Sequence, residues 1–479
     1  MQSSVSFVLD GEIKRIDFNN RTGYTPTTTV LNYLRSLPTH KGVKEGCAEG
    51  DCGACTVVIG ETGRDGKFQY KSVDSCLVFL PMLHGKQLIT VENLKDTTGK
   101  LHPVQEAMVE TGGSQCGFCT PGIVMSLFAL YKTRDHPSRT EIDDALGGNL
   151  CRCTGYKPIV EAAARSCVHN RTDYFTNEEP RIMELLKSIP RHSLHLATEK
   201  QTYFRPASLG EAITLKHQHP TAIVICGATD IALRVTKSHE LLSKIIDLTG
   251  IDELKEIVET DSDISISAGT SLSDIIPRIE KGFPALYDML TVFGSQQIRN
   301  VATLGGNLGT ASPIGDTLPV LIAYNAKVVL ESLNGRREIS LDNYITGYRQ
   351  TVRKPDELIT AVVIPKLLNG AIVRSYKVSK RKDLDISTAS AGFRLELNDG
   401  NVVGDVKLVY GGMAERTKRA TVAEEYLRGK IWTRETVEQA MGFIDKDFSP
   451  ISDARSSAEF RRVAARNLLL KFWTETNVQ

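Results

Sequence analysis

The spacing of apolar residues divides the first 168 residues into two parts. Over residues 1–90, apolar and polar residues alternate in short stretches, as they do in half-buried strands. These stretches are SVSFVLDGE, EIKRIDF, CTVVIGE and KQLITVE, with one short helical candidate, TTVLNYLRS, before a cysteine-rich loop. Over residues 91–168, helical spacing predicts helices in PVQEAMVE, PGIVMSLFALYKT, TEIDDALGG and PIVEAAARS. Thr120 is the expected N-cap of the second of these helices, and Pro121 its first-turn proline.

The remainder of the chain has a mixed pattern. Residues 169–201 are polar, with few periodic apolar positions, and are expected to form a linker. Between 202 and 371, TAIVICGATD predicts a strand that enters a glycine turn, and AKVVLESLNGRREISL predicts a hairpin with Asn334-Gly335 at its turn. Between 372 and 479, TASAGFRLELNDGNVVGDVKLVYGGM predicts antiparallel strands, followed by helices in TRETVEQAMGFI and SAEFRRVAARNLLLKFW.

Composition and charge narrow the classes of protein to consider. The 479 residues are 41% hydrophobic and 24% charged, the balance of ordinary soluble domains. A formal net charge of +1 gives no electrostatic reason to bind nucleic acid or an anionic membrane. The first residues alternate like a strand rather than a signal peptide, and the longest apolar run, IVMSLFALY, is too short to span a bilayer. We therefore expect a cytoplasmic protein, in which clustered cysteines bind metal more often than they form disulfides.

Eight of the ten cysteines fall into two groups of four. The first group consists of Cys47, Cys52, Cys55 and Cys76. Its C-x4-C-x2-C spacing with a fourth, more distant cysteine is typical of plant-type [2Fe–2S] ferredoxins. Gly46, Gly50 and Gly53 permit positive φ and a close approach of backbone N–H groups to anionic sulfur. A disulfide knot and a zinc site are the competing interpretations, and the glycine-rich spacing favours the iron–sulfur cluster.

The second group consists of Cys116, Cys119, Cys151 and Cys153. It forms a C-x2-C pair and a C-x-C pair, each just before a predicted helix, so helix dipoles can stabilise an anionic cluster. Such pairs also suit structural zinc, and both interpretations stay open on spacing alone. Cys167 and Cys226 have no partner at ligand spacing and are expected to be small buried apolar residues.

Two glycine-rich stretches suggest a nucleotide site in the middle of the chain. They are IVICGATDIAL at 223–233 and ATLGGNLGTASPIGD at 302–316. Exposed backbone N–H groups in such turns can bind a pyrophosphate without many positive charges. Neither stretch is the G-x-G-x-x-G fingerprint of a Rossmann fold, and tight turns in an α/β domain are the simpler alternative.

Together these motifs resemble those of the xanthine dehydrogenase family of molybdenum hydroxylases. GCAEGDCGACTVV with Cys76, SQCGFCTPGIVMS and GGNLCRCTGY are similar to its two iron–sulfur motifs. TLGGNLGTASPIGD is similar to its FAD-binding signature, and YKVSKRKDLDIS to its loop beside the flavin. The resemblance implies a multidomain α+β fold, made of a β-grasp ferredoxin-like [2Fe–2S] domain at 1–90, a helical [2Fe–2S] domain at 91–168, a linker at 169–201, an α+β FAD-binding domain at 202–371 and a C-terminal α+β flavoprotein domain at 372–479.

The resemblance also implies the cofactor ligands. One cluster would bind Cys47, Cys52, Cys55 and Cys76, and the other Cys116, Cys119, Cys151 and Cys153. The FAD contacts would be Ile223, Val224, Ile225, Cys226, Gly227, Ala228, Thr229, Asp230, Phe293, Ala302, Thr303, Leu304, Gly306, Asn307, Thr310, Asp316, Ile359 and Lys377. Gln115 and Cys153 would lie near a partner's pterin, and no side chain of this chain would be a general acid or base for the substrate.

The implied function is that of a separately encoded small subunit. A large subunit would bind molybdopterin, and two small and two large subunits would form a heterotetramer. The complex would oxidise hypoxanthine to xanthine and xanthine to urate. The electrons would pass through the two [2Fe–2S] clusters and FAD to NAD. Gly309 and Leu384 stand where animal members carry a branched apolar residue and an acidic residue, whereas Asp385 is retained. Both departures lie beside the flavin, so they bear on the choice of acceptor.

Two alternatives follow from the same residues. The same subunit could serve an enzyme that oxidises an aldehyde, nicotinate or another N-heterocycle, because the substrate pocket would belong to the partner. A zinc-stabilised interaction protein without redox activity is the alternative of a different class. An absorption spectrum separates the last one from the others, since flavin and iron–sulfur clusters are coloured and zinc is not.

Overall fold

The structure is a computed structural model that describes residues 3–18, 23–168, 173–367 and 370–477. The chain forms two compact units, each built from several segments. The first unit comprises Met1–Ala212, Thr221–Ile251 and Ser295–Ala302. The second unit comprises Ile213–Pro220, Asp252–Gly294 and Thr303–Gln479.

The strands in the described residues are numbered in chain order. They are β1 (Ser4–Leu9), β2 (Glu12–Asp17), β3 (Thr56–Thr62), β4 (Phe68–Asp74), β5 (Gln87–Ile89), β6 (Leu194–Ala197), β7 (Thr202–Arg205), β8 (Ile223–Ile225), β9 (Lys244–Asp247), β10 (Ile257–Glu259), β11 (Asp263–Ser267), β12 (Lys327–Ser332), β13 (Gly335–Ser340), β14 (Ile345–Gly347), β15 (Gln350–Thr351), β16 (Leu358–Pro365), β17 (Ile372–Val378), β18 (Ala389–Asn398), β19 (Val402–Gly411) and β20 (Lys418–Arg419).

The α-helices are numbered in the same way. They are α1 (Val30–Ser36), α2 (Pro103–Glu110), α3 (Thr120–Thr133), α4 (Arg139–Leu146), α5 (Lys157–Ser166), α6 (Tyr174–Ser188), α7 (Leu209–Gln218), α8 (Ile231–Thr236), α9 (Leu272–Ile279), α10 (Pro284–Thr291), α11 (Gln296–Arg299), α12 (Leu304–Thr310), α13 (Thr317–Ala323), α14 (Thr421–Leu427), α15 (Arg434–Asp447) and α16 (Ala458–Thr476). The predicted α+β class is confirmed, and each helix quoted from the sequence pattern is present.

The first unit begins with a five-stranded mixed sheet in the order β2-β1-β5-β3-β4. β1 pairs in parallel with β5, and the other pairs are antiparallel. Helix α1 packs Val30 and Leu34 into the same apolar core as Val5 and Phe7 of β1. Its N-cap is Thr29, whose hydroxyl accepts a hydrogen bond from the Asn32 N–H at 3.2 Å. The result is the expected β-grasp arrangement of a small sheet with a helix against it.

Helices α2 to α5 form the second part of the first unit around a separate core. α3 is buried along most of its length, and Phe128 in its centre lies against His102 and Phe175. The predicted cap of α3 was wrong by one residue. The helix begins at Thr120, and Cys119 is its N-cap. The hydroxyl of Thr120 instead pairs with that of Ser114 at 2.7 Å.

Residues 169–201 differ from the expected linker because most of them are built into the fold. Residues 169–172 lie outside the described residues, but the segment after them contains α6 and β6. Ile182 and Leu186 of α6 pack against Val8 of β1. Their spacing of four residues is helical, but Pro180 and the surrounding charged residues hide it in the sequence. β6 then opens a four-stranded sheet in the order β6-β7-β9-β8.

Among the described residues, the second unit contains two larger antiparallel sheets and the two-stranded antiparallel sheet β14-β15. The first has the order β10-β11-β16-β12-β13, and the hairpin β12–β13 pairs Ser332 with Gly335 across a loop of Leu333 and Asn334. The predicted turn is therefore displaced by one residue, with the positive φ of +113° at Gly335. The second sheet has the order β17-β18-β19-β20 and packs against α14 to α16. None of the helices described here combines the length and apolar character that crossing a bilayer requires.

Candidate metal and cofactor sites

The first cysteine group brings its thiols together as two pairs. Cys47 hydrogen-bonds with Cys52 on the loop after α1, and Cys55 hydrogen-bonds with Cys76 after β4. Cys55 and Cys76 are almost inaccessible, with exposed fractions of 2% and 1%. The four cysteines predicted for this group thus form two thiol pairs, and Cys55 and Cys76 lie just before β3 and just after β4.

Backbone N–H groups stabilise negative charge at this group. The Cys47 sulfur accepts hydrogen bonds from the N–H groups of Asp51 at 3.3 Å and Glu49 at 3.5 Å. Together with the stronger contribution of the Cys52 hydrogen bond, they lower the pKa of Cys47 to about 5. The same pairing and burial raise the pKa of Cys52, and pairing with Cys76 raises that of Cys55. N–H groups directed at sulfur are the donors that an anionic iron–sulfur cluster needs.

The second cysteine group also forms two pairs. The Cys116 and Cys153 sulfurs are 3.6 Å apart, and Cys119 hydrogen-bonds with Cys151. Cys116 and Cys153 are exposed, whereas Cys119 and Cys151 are half-buried. A hydrogen bond from the Phe118 N–H lowers the pKa of Cys116, and burial raises that of Cys119 to about 12.

The pairing bears on which metal the donors suit. Within the described ranges, no three or more Cys, His, Asp or Glu side chains gather closely enough to hold one metal ion. Each group instead offers two pairs of thiols. A [2Fe–2S] cluster uses two protein ligands on each of its two irons, so the paired donors fit such a cluster.

Two hydrogen bonds join the loops that carry the two groups. The Leu150 N–H donates to the Cys52 carbonyl at 3.0 Å, and the Asn149 side-chain amide donates to the Gly53 carbonyl at 3.1 Å. Gly53 has a φ of +66°, and a Cβ there would lie 2.3 Å from the Gly148 carbonyl oxygen. The close contact of the two loops therefore depends on glycine at position 53.

Sequence reasoning missed several residues around the first group. Asp74 is buried beside Cys55, whose sulfur lies 3.8 Å from its Oδ1, and burial raises the pKa of this carboxyl. Lys237, the residue after α8, donates to the Cys47 carbonyl at 3.0 Å and lies 3.5 Å from Glu49. A buried aspartate two residues before a cysteine gave a weak signal, and the distant Lys237 gave none.

The predicted flavin residues of the first unit form a strand and a tight turn. Ile223–Ile225 make up β8, and Gly227 and Ala228 follow with φ values of +103° and +62°. A Cβ at Gly227 would lie 1.9 Å from the Val301 carbonyl oxygen, so the turn sits directly against the chain before Ala302. Cys226 in this turn is half-buried rather than fully buried as expected, while Cys167 is completely buried.

The predicted flavin residues of the second unit include a helix with one open face. Thr303 caps α12 by accepting a hydrogen bond from the Gly306 N–H at 3.0 Å. Gly306 and Gly309 are exposed one turn apart, and a Cβ at Gly309 would meet one atom, Ile359 Cδ1, at 3.5 Å. A helix face without side chains lets a flat ligand approach the backbone, which fits a nucleotide cofactor.

A buried ion pair lies in the same unit. Lys377 Nζ is 2.9 Å from Asp316 Oδ2 and donates to the Val292 carbonyl at 2.9 Å. The Ser387 hydroxyl donates to the other Asp316 oxygen at 2.5 Å. The structure thus brings three predicted flavin contacts into one neighbourhood, namely Asp316, Lys377 and, next to Val292, Phe293.

A basic cleft adjoins this ion pair. It encloses about 500 Å³, and five cationic side chains line it: Lys377, Lys380, Arg381, Lys382 and Lys471. The loop after β17 contributes to this cleft, and in that loop Asp385 accepts a hydrogen bond from the Arg381 N–H at 3.1 Å. The neighbouring Leu384 is buried with a φ of +58°. The cleft offers positive charge suited to a phosphorylated ligand.

Family models match three regions of the chain. A [2Fe-2S] binding domain model matches residues 90–164, an FAD binding domain in molybdopterin dehydrogenase matches residues 197–367, and a CO dehydrogenase flavoprotein C-terminal domain matches residues 374–476.

Curated relatives extend the similarity to most of the chain. Xanthine dehydrogenase/oxidase of Gallus gallus is 33% identical over 94% of this chain and 38% of its own length. Xanthine dehydrogenase of Emericella nidulans is 33% identical over 94% of this chain and 37% of its own length. The chain therefore spans less than two fifths of these relatives.

Solved structures are similar over part of the chain. Cu,Mo-CO dehydrogenase in its cyanide-inactivated form superposes with a TM-score of 0.53 and 25% identity, over 56% of this chain and 94% of that one. Carbon monoxide dehydrogenase from Hydrogenophaga pseudoflava gives 0.54 and 26%, over 58% and 96%. With the paired cysteines and the flavin-type turns, these matches confirm the resemblance seen in the sequence, and the chain belongs to the molybdenum hydroxylase family as a member with [2Fe–2S]- and FAD-binding domains.

Proposed function

We propose that this chain is the electron-transfer part of a xanthine dehydrogenase. A purine substrate would lose two electrons at a partner's molybdenum centre, and these would reach NAD⁺ by way of two [2Fe–2S] clusters and FAD, giving NADH. The observation that carries the proposal is the hydrogen bond from the Leu150 N–H to the Cys52 carbonyl. It connects a residue next to Cys151 of one group with a cysteine of the other, so a bonded route between the groups crosses only one hydrogen bond.

The eight paired cysteines are the proposed cluster ligands. Cys47, Cys52, Cys55 and Cys76 would hold one cluster, and Cys116, Cys119, Cys151 and Cys153 the other. The chain's own contribution is to fix the thiols in pairs and to surround the first group with N–H donors, which tune its potential. The flavin contacts predicted from the sequence fall in both units and stay a proposal.

The second cysteine group is the proposed side of approach for the partner. Cys116 and Cys153 are exposed, and so are the apolar side chains of Phe118 and Leu150, at 48% and 43%. Exposed apolar residues around a metal-binding group indicate a surface that another protein covers. A molybdopterin-binding large subunit, in a heterotetramer of two small and two large subunits, would fit this requirement.

NAD is the proposed electron acceptor. The basic cleft beside Lys377 supplies positive charge for its pyrophosphate, and the predicted flavin contacts Asp316 and Lys377 lie at its edge. We also propose a cytoplasmic location, in which thiols stay reduced and can bind metal.

A second candidate keeps the same role in an enzyme for another substrate, such as an aldehyde or another N-heterocycle. The observation that favours a substrate other than a purine is the similarity to carbon monoxide dehydrogenases, which are named for a different substrate and match 56% and 58% of this chain. Assaying the purified complex on a panel of purines, aldehydes and N-heterocycles separates the two candidates.

The purified chain itself provides the first test. Two irons and two sulfides per cluster give four irons, four acid-labile sulfides and one FAD per chain. NADH should reduce an artificial dye, whereas xanthine should not react, because molybdenum belongs to the partner. Zinc in place of iron, or xanthine turnover by the chain shown free of any partner, would contradict the proposal.

A further inference from the structure

A buried side chain outside both cysteine groups contacts the loops between them. Gln297 lies on the short helix α11, within the region that the FAD-binding family model matches, and its exposed fraction is 0%. Its side-chain N–H₂ donates to the side-chain oxygen Oδ1 of Asn149 at 2.8 Å and to the Ser126 hydroxyl at 2.9 Å. Ser126 belongs to α3, the helix that Cys119 caps.

Asn149 extends these contacts to the other loop. Its amide donates to the Gly53 carbonyl at 3.1 Å and to the Thr56 hydroxyl at 3.2 Å. Its side-chain oxygen Oδ1 accepts a hydrogen bond from the Ser126 hydroxyl at 2.6 Å as well as from Gln297. Asn149 and Ser126 are each 1% exposed. Water therefore cannot replace a lost partner easily, and breaking one of these hydrogen bonds leaves a buried polar group unsatisfied.

Gln297 also fills the space over Gly148. A Cβ at Gly148 would lie 2.2 Å from Gln297 Oε1 and 2.7 Å from Ser295 Cβ. The amide thus presses against the backbone just before Asn149 while it hydrogen-bonds the Asn149 side chain. Both contacts act on the residue that precedes Leu150, whose N–H makes the bond to Cys52.

We infer that Gln297 is a positioning residue for electron transfer between the two cysteine groups. It orients Asn149, and Asn149 holds the Leu150 N–H against the Cys52 carbonyl. The inference rests on the proposed function, because it assumes that each group carries a one-electron centre. Gln297 touches neither centre. Its effect is on the rate at which an electron crosses between the loops, because that rate depends on their separation.

The test uses the assembled complex and follows both centres after mixing with NADH. Each NADH delivers two electrons to the flavin as hydride, one for each centre, and rapid-freeze EPR records the two signals separately. Gln297→Met keeps the side-chain volume and removes the hydrogen-bond donor. In this variant we expect the EPR signal of the first group to appear at the parental rate. The second group's signal should be delayed about tenfold, while the equilibrium potentials of both centres stay at parental values. Gln296→Met is the matched control, since Gln296 is the same residue type one position earlier and is half-buried.

Gly148→Ala disturbs the same contact from the opposite side and serves if Gln297→Met does not assemble. It should produce the same selective delay, because its Cβ would displace the Gln297 amide. A parental rate at the second centre in both assembled variants, or equal slowing at both centres, would overturn the inference. If NADH reduces neither centre in the parent complex, the proposed function itself fails, which is a distinguishable result.

Discussion

The two cysteine groups share their paired thiols but differ in their surroundings. The first is enclosed, because Cys55 and Cys76 belong to the apolar core of the first sheet and backbone N–H groups point at Cys47. The second is open, because Cys116 and Cys153 are exposed and exposed apolar side chains surround them. Both groups thus offer the paired thiols that a [2Fe–2S] cluster would bind, and they differ in how far the surrounding chain buries those thiols.

The difference indicates a direction for that route. The proposed route would have the enclosed group exchange electrons with a centre held by the same chain, and two residues that approach this group, Lys237 and Ile298, belong to the region matched by the FAD-binding model. An open group can exchange electrons with a separate molecule.

The largest effect is expected when the open group loses a ligand. Cys153→Ser replaces a soft sulfur ligand with a harder oxygen, which weakens or shifts the second cluster. Substrate-to-NAD turnover should fall on the order of 100-fold or more, since loss of a supporting residue alone costs up to that much at metal sites. NADH-to-dye turnover enters at FAD and should survive. Both rates, with iron and flavin content, are measured on the mutant complex. Parental substrate-to-NAD turnover with the second cluster demonstrably lost would place Cys153 off the route.

Two glycines with the same φ allow the loop of the enclosed group to be compared with the loop of the open group. Gly53 and Gly155 both have a φ of +66°, but a Cβ at Gly53 would meet the Gly148 carbonyl at 2.3 Å, whereas one at Gly155 has nothing within 4 Å. Gly155→Ala should cost about 1 kcal/mol in the free energy of unfolding, because an L residue is strained in this left-handed backbone conformation. Gly53→Ala adds the clash and should cost about 3 kcal/mol or more. Denaturant unfolding of both variants measures this, and equal costs would show that the enclosed loop can relax.

Individual residues show how much of the fold and of the candidate sites could be predicted from the sequence. Ligand spacing is local and chemically specific, so both cysteine groups could be predicted, and the alternation or helical spacing of apolar residues predicted many of the strands and helices. Asn149 and Gln297 could not be found, because an amide in a glycine-rich loop and another 148 residues later carry no shared signal until the fold brings them together. Helix α6 was missed because its apolar positions are few and because Pro180 lies inside it, where a proline argues against a helix.

Removal of iron should expose the contrast in thiol reactivity. At pH 7, a thiol with a lowered pKa is more fully in the reactive thiolate form, and one with a raised pKa is less so. Cys116 combines a lowered pKa with exposure, whereas Cys55 combines a raised pKa with an exposed fraction of 2%. In the iron-depleted folded protein, iodoacetamide should modify Cys116 about tenfold faster or more. Peptide mass spectrometry gives both rates, with denatured protein as the control in which they converge. Equal rates in the folded protein would contradict the enclosure of the first group.

The smallest effect is expected from a substitution of Lys237, whose side chain donates to the Cys47 carbonyl. Lys237 is half-exposed, so its hydrogen bond and its pairing with Glu49 contribute about 0.5 kcal/mol to stability, and Lys237→Met should unfold almost like the parent. Its charge acts differently on a redox centre. Reduction adds negative charge to the cluster that Cys47 would bind, and a nearby cation stabilises the reduced form.

Loss of Lys237 should therefore make the midpoint potential of the first cluster more negative, and Glu49, left without its partner, should add to this shift. Glu49→Gln should move the potential in the opposite direction. The second cluster should keep its potential in both variants, because Lys237 contacts the first loop. A redox titration followed by EPR measures the two clusters in one sample. Equal shifts at both clusters would mean that the charge acts on the whole chain rather than on the enclosed group, and shifts of the same sign in the two variants would exclude an electrostatic cause.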